Sequence, residues 1–164
     1  MKRIAKFEKV SLEQFSKDCS ISADINSIYD NIKLPQRATK GSAGYDFFAP
    51  FDVTLKPGEG IKVPTGIRAK IDDGFVLKIY PRSGLGFKFR LQLDNTVGII
   101  DGDYYNSDNE GHIMVKLTND SRSDKTVEIK AGQGFVQGIF LEYGITVDDC
   151  CEGIRNGGFG STTK

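Results

Sequence analysis

The chain has no tryptophan, one histidine, three cysteines and no excess of either charge, with 22 Lys+Arg against 22 Asp+Glu in 164 residues. Each shortage excludes a class of function. One histidine (His112) and no C-x-x-C pair leave little for a zinc site, and a Ser-His-Asp triad would have to use His112, around which nothing suggests one. Three cysteines, two of them adjacent at Cys150 and Cys151, do not make a disulfide framework. A reduced, cytoplasmic setting fits, and the adjacent pair reads as two small buried residues. Zero net charge argues against stable nucleic acid binding, which needs a broad cationic field. It leaves room for a small anionic ligand held by a few donors. No apolar run approaches the ~20 residues that span a bilayer, so no membrane partner is expected. The opening MKRIAKFEKVSLEQF lacks the apolar core and small-residue cleavage site of a signal peptide.

Several motifs are also missing. There is no G-x-x-x-x-G-K-[ST] and no G-x-G-x-x-G. Asp101-Gly-Asp opens like a calcium loop, but Asn106 stands where that loop needs glycine and His112 where it needs a bidentate Glu. Asn119-Asp120-Ser121 is a glycosylation triplet, which without a secretory signal reads as chance.

Glycine is abundant, 19 residues, and it punctuates short runs rich in Val, Ile, Phe and Tyr. Segments 53–71, 75–81, 90–93, 112–119, 125–132 and 135–144 read as strands separated by Pro-Gly and Gly turns. Many short strands at this spacing predict an all-β barrel, sandwich or jelly roll. The gaps are too tight for βαβ units. The first 30 residues differ. Ser11 followed by Gln14 predicts a capping box ahead of Leu12, Phe15 and Cys19, and Ile25, Ile28, Tyr29 and Ile32 repeat the helical spacing. This stretch reads as a mainly helical leader packed on the β body, with a mobile arm as the other reading.

Four segments join glycine to charged or hydroxyl groups. In PRSGLGFK (81–88), Arg82 and Ser83 meet two glycines, and exposed backbone N–H groups, a guanidinium fork and a hydroxyl suit phosphate oxygens. In NTVGIIDGDYYN (95–106), Asp101 leaves an apolar run and can act as a rigid general base beside a reacting water. RNGGFGST (155–162) offers Phe159 for base stacking and Arg155, Ser161 and Thr162 as phosphate donors. SAGYDFFAP (42–50) sets Asp46 between aromatics. Together they point to a polyphosphate and an aromatic base held by several loops.

These segments resemble the five ordered motifs of the homotrimeric dUTPases: AGYD (43–46), PRSG (81–84), NTVGIIDGDY (95–104), GQGFVQGIF (132–140) and RNGGFGST (155–162). The resemblance implies a β jelly-roll or clip barrel over residues 35–150, after a leader at 1–34 and before a C-terminal arm at 151–164 that closes over a neighbouring subunit's site. It implies a homotrimer whose three active sites each draw on three chains, with dUTP as substrate and Mg²⁺ as cofactor. Asp101 would position and deprotonate the water that attacks the α-phosphorus, and Asp46 would reach the metal through water. Arg82, Ser83, Gly84 and Gln137 would hold the phosphates. Asn95, Gly98, Ile99 and Ile100, in a tight hairpin, would select uracil, and Tyr104 would pack under the deoxyribose. Phe159 would stack on the base while Arg155, Gly160, Ser161 and Thr162 close on the phosphates.

Three departures stand out. Gln133 and Gly134 occupy positions where the fourth motif usually has an acid and an arginine, and the fifth motif is one residue short between Arg155 and Phe159. The segment after Tyr104 is long, and 105–111 reads as a surface elaboration with no catalytic role. Two rivals remain at this point. A dCTP deaminase of the same fold would need a Glu near the third motif, where this chain has Asp-Gly-Asp-Tyr. A nucleotide-gated regulatory binding protein would use the leader and 105–111 as partner surfaces.

Overall fold

The computed structural model describes residues 2–21, 24–153 and 155. The described residues contain twelve strands: β1 Ala5–Lys9, β2 Gln36–Arg37, β3 Tyr45–Phe48, β4 Val53–Leu55, β5 Gly60–Pro64, β6 Ile67–Ile71, β7 Phe75–Pro81, β8 Leu91–Leu93, β9 Gly98–Ile100, β10 Met114–Asn119, β11 Val127–Ile129 and β12 Gly134–Glu142. Three short helices, α1 Leu12–Asp18, α2 Ile25–Asp30 and α3 Ser83–Phe89, and a 3-10 helix at Gly102–Asn106 complete it. The strands form a jelly roll from four antiparallel sheets, ordered β1-β6, β5-β10-β8, β11-β4 and β2-β3-β12-β7-β9. Alternation decides the faces. In β6, Ile67, Ala69 and Ile71 point inward while Lys70 faces out; in β11, Val127 and Ile129 flank an exposed Glu128.

Every strand expected from the sequence is present, including β7 over 75–81 as drawn. The leader contains one strand more than expected. β1 pairs along its length with β6, from Ala5↔Ile71 to Lys9↔Ile67, and Phe7 meets the rings of Tyr45, Phe47 and Phe140. Ser11 caps α1 as expected, its side chain accepting from the Gln14 N–H at 3.0 Å. Gln14 does not reach back; its amide donates to Asp18. Phe15 and Val10 are fully buried in the one core that also holds Phe47, Leu77 and Phe135. Burying a side chain such as Phe15 contributes about 1.5–3 kcal/mol. Of the two readings of the leader, the packed one is what the structure shows.

Two further expectations change. PRSGLGFK is not an open glycine turn: from Ser83 it is helix α3, closed by Arg90 in the left-handed region. Cys150 and Cys151 are exposed, not buried. Asn119 of the glycosylation triplet is fully buried, and its amide nitrogen donates to Leu55 O and Lys125 O.

Candidate active site

The run Gly98–Ile100 is a strand because its apolar residues pair with Leu77–Ile79 of β7. It follows β8 through a turn at 94–97, in which Thr96 takes φ +66°. β8 and β9 belong to different sheets, so the expected hairpin is a bridge between sheets. Between them lies a cavity of about 250 Å³, walled by Asn95, Gly98, Ile99, Ile100 and Tyr104, with Arg155 at its edge. Three segments of the core floor it: β7 through Ile79, β8 through Leu93, and the run into β10 through Ile113 and Val115.

Tyr104 is buried. Its hydroxyl donates to the carbonyl of His112 at 2.8 Å and accepts from Asn109 Nδ2 at 2.8 Å. Burial raises its pKa above the ordinary phenol value, so it is a neutral wall. The hydrogen bonds fix the ring's plane.

Asp101 precedes the 3-10 helix and lines a second, wider cavity with Asp103, Lys78 and Arg155. Its carboxylate is close to half exposed and so open to water. Arg155 Nη2 pairs with Asp101 and Arg155 Nε with Asp103 at 2.9 Å. The resemblance assigns Arg155 to phosphates; in this conformation it sits on its own chain's carboxylates. Two acids two positions apart on one turn offer a planar guanidinium two acceptors.

The second group of residues gathers where β7 ends. Arg82 is the N-terminal flanking residue of α3, with Ser83 and Gly84 in the helix's first turn. The opposed edge of β12 carries a bulge between Gly134 and Val136, and beyond it Gln137 pairs with Asp46 of β3. Arg82 Nε lies 3.2 Å from Asp46 Oδ1, and Arg82 Nη1 donates to Gly134 O at 3.3 Å. Gln137 Nε2 donates to Pro81 O at 3.2 Å. A Cβ on Gly134 would stand 2.9 Å from Arg82 Nη1. Lacking a side chain there, the chain lays Arg82 across that backbone.

These two groups stand at opposite ends of β7. Ile100 pairs with Leu77 near its start, while Arg82 follows Pro81 at its end. At about 3.3 Å per residue, roughly 15–20 Å of strand separates the Asp101 backbone from that of Arg82.

A family model described as dUTPase matches residues 30–163. The chain belongs to the dUTPase family. It is 43% identical over 134 residues to the deoxyuridine 5'-triphosphate nucleotidohydrolase of Lactococcus lactis, covering 80% of this chain and 88% of the relative. The Tolumonas auensis protein of the same name is 39% identical over 145 residues, covering 84% and 91%. Among solved structures, a dUTPase from Streptococcus mutans superposes with a TM-score of 0.66 at 35% identity over 87% of this chain and 98% of that one. The dUTPase of phage phi11 of S. aureus, in a D95N mutant described as coordinating a structural Mg(II) ion, shares the fold at TM-score 0.65 and 20% identity, over 92% of this chain and 98% of that one.

For this dUTPase family member, the structure brings Asn95, Gly98, Ile99, Ile100, Tyr104, Asp101 and Arg155 to one region, and Arg82, Ser83, Gly84, Asp46 and Gln137 to another. Phe159, Gly160, Ser161 and Thr162 lie outside the described residues. Sequence reasoning missed Asn109 and His112, which hold Tyr104, and Asp103, which shares Arg155. Segment 105–111 is not a surface elaboration only: Ser107 and Gly111 are buried and Asn109 bonds the site tyrosine. The repeated acid in Asp-Gly-Asp signalled Asp103; nothing local signalled the other two.

Proposed function

We propose that the chain hydrolyses dUTP to dUMP and pyrophosphate, limiting uracil in DNA and supplying dUMP for thymidylate synthesis. The observation that carries this is the 250 Å³ cavity, whose walls are the residues expected to take uracil and deoxyribose, with Asp101 just outside it. Uracil enters along Asn95 and the backbone of Gly98–Ile100, where a close wall rejects the thymine methyl by clash. Tyr104 lies under the sugar and leaves no room for a 2′-hydroxyl. Asp101 accepts a proton from water as its oxygen bonds the α-phosphorus, and the bond from that phosphorus to the bridging oxygen breaks, releasing pyrophosphate. Arg82, Ser83, Gly84 and Gln137 hold the triphosphate. Phe159 stacks on the base, and Gly160, Ser161 and Thr162 close on the phosphates as the arm folds over. Arg155 reaches the phosphates only by leaving Asp101.

Among the described residues no three His, Cys, Asp or Glu side chains converge as a metal cage. Asp46 alone offers a carboxylate beside the phosphate-binding group, and it shares that charge with Arg82. This donor set fits Mg²⁺ brought on the triphosphate with its waters kept, touched by Asp46 through one of them. Bound so, the ion would neutralise charge developing on the phosphates.

The site is completed by neighbouring copies in a homotrimer. Reacting groups must approach to about 3–3.5 Å, and one chain holds Asp101 and Arg82 at opposite ends of a strand. A second copy bringing its Asp101 to this chain's Arg82 removes the gap. The location is cytoplasmic.

The test is a substrate panel with Mg²⁺: dUTP, dCTP, UTP and dTTP, with products separated. The expected result is dUMP and pyrophosphate from dUTP alone. Deaminated product from dCTP, or no turnover with dUTP still bound, contradicts it.

A further inference from the structure

Three side chains of the leader reach the segment that follows Tyr104. Glu8 on β1 accepts from the Tyr105 hydroxyl at 2.5 Å. Ser11, the cap of α1, donates through its N–H and its hydroxyl to the Glu110 carboxylate at 2.7 and 2.6 Å. Glu110 thus fills the reciprocal half of the cap that Gln14 leaves open. Asp18, at the end of α1, lies 2.6 Å from His112 Nδ1.

His112 is fully buried, and the Gly66 N–H donates to its Nε2 at 2.8 Å. That bond places the ring proton on Nδ1, where it is donated to Asp18. The carbonyl of the same residue accepts from the Tyr104 hydroxyl, and Asn109 binds that hydroxyl from the other side. Arg68 backs the arrangement from β6, its guanidinium carbon 3.5 Å from the Tyr105 ring centroid and its Nη2 donating to Tyr105 O at 2.7 Å. Among the described residues, none of the leader lines the cavity. The leader nevertheless reaches the cavity wall in two steps, Asp18 to His112 and His112 to Tyr104.

We propose that the N-terminal leader is a positioning element for the sugar-facing wall of the cavity, with Asp18 the positioning residue for Tyr104 through His112. This rests on the reading that Tyr104 lies under the deoxyribose. Exclusion of a 2′-hydroxyl depends on a wall that does not yield, and a wall is as stiff as the hydrogen bonds behind it. Freeing His112 from Asp18 lets its backbone and the Tyr104 ring drift. Asp101 sits on the far side of Gly102 and keeps its place. The signature is therefore lost sugar discrimination with the chemical step retained.

The test measures kcat and KM for dUTP and UTP in the wild-type chain and in Asp18→Ala, Asp18→Asn and Tyr105→Phe. Asp18→Ala is expected to lower the dUTP-over-UTP ratio of kcat/KM roughly tenfold, with kcat for dUTP within about twofold of wild type. Asp18→Asn keeps the ratio, because its amide oxygen still accepts from Nδ1. Tyr105→Phe, which loses only the hydroxyl bonded to Glu8, lowers it roughly threefold. General loss of folded protein lowers both substrates alike and leaves the ratio unmoved. An unchanged ratio in folded Asp18→Ala overturns the proposal, and if that variant does not fold, an unchanged ratio in Tyr105→Phe does so. A wild-type chain that hydrolyses neither nucleotide, or both alike, overturns instead the sugar reading beneath it.

Discussion

His112 is fully buried, with Nε2 bonded to the Gly66 N–H and Nδ1 to Asp18. Burial holds its imidazole below the ordinary value, against the opposing pull of the Asp18 and Glu110 carboxylates. The folded chain therefore binds a proton there less readily than the unfolded chain. Its contribution is fully present above the unfolded pKa of about 6.5 and is lost as pH falls through the lower folded value. We expect the melting temperature to drop between pH 7 and pH 5, and His112→Gln to flatten that decline, because glutamine can serve Gly66 and Asp18 without titrating. Differential scanning fluorimetry across that range checks it; equal slopes in both proteins would contradict it. Histidine occurs once in the chain, so no other histidine confuses the window. At this scale the sequence pointed to Asp101, Arg82, Asp46 and Tyr104, which lie within two residues of a glycine, and the structure places each at one of the two groups described. The sequence did not point to His112 and Asn109, because their partners Asp18, Gly66 and Tyr104 are joined to them by the fold, and His112 lies 94 positions from Asp18.

At the scale of elements, the segment 105–112 owes its path to Gly111, whose φ is +69° and where an added Cβ would stand 2.6 Å from Tyr104 O and 2.7 Å from Tyr105 Cα. Both contacts are to backbone, which cannot give as a side-chain tip can. Gly111→Ala should cost about 2–4 kcal/mol and raise KM for dUTP as Tyr104 shifts; urea unfolding with parallel kinetics reads both. A stable variant with wild-type KM would show that the segment is not tied to the wall. Most strands were legible from alternation and turn residues. β1 was not, because AKFEK carries a single large apolar residue and its ladder is supplied by β6. α3 was missed for the opposite reason. Two glycines cost an isolated helix about 1 kcal/mol each, and Leu85 and Phe89 recover it by packing on the core.

For the whole molecule, the proposed function requires a catalytic site assembled from more than one copy. The chain displays Phe87, Ile145 and Val147 to solvent, and it parts Asp101 from Arg82 by the length of β7. The resemblance read from the motifs implied a shared site, but the separation itself was not legible, since strand register and sheet order place the two residues, not their spacing in sequence. The most direct test is complementation between two inactive variants. Asp101→Asn should lose turnover by a factor on the order of 10²–10⁴ while still binding dUTP, and Arg82→Ala should fail at the phosphates. Co-refolded in equal amounts with differently tagged chains, the two should assemble into mixed oligomers holding some sites with both residues intact. A site shared between copies should recover about one quarter of wild-type turnover. Mixed oligomers, verified by their tags, with no activity above the parent variants would contradict it and place the whole site within one chain.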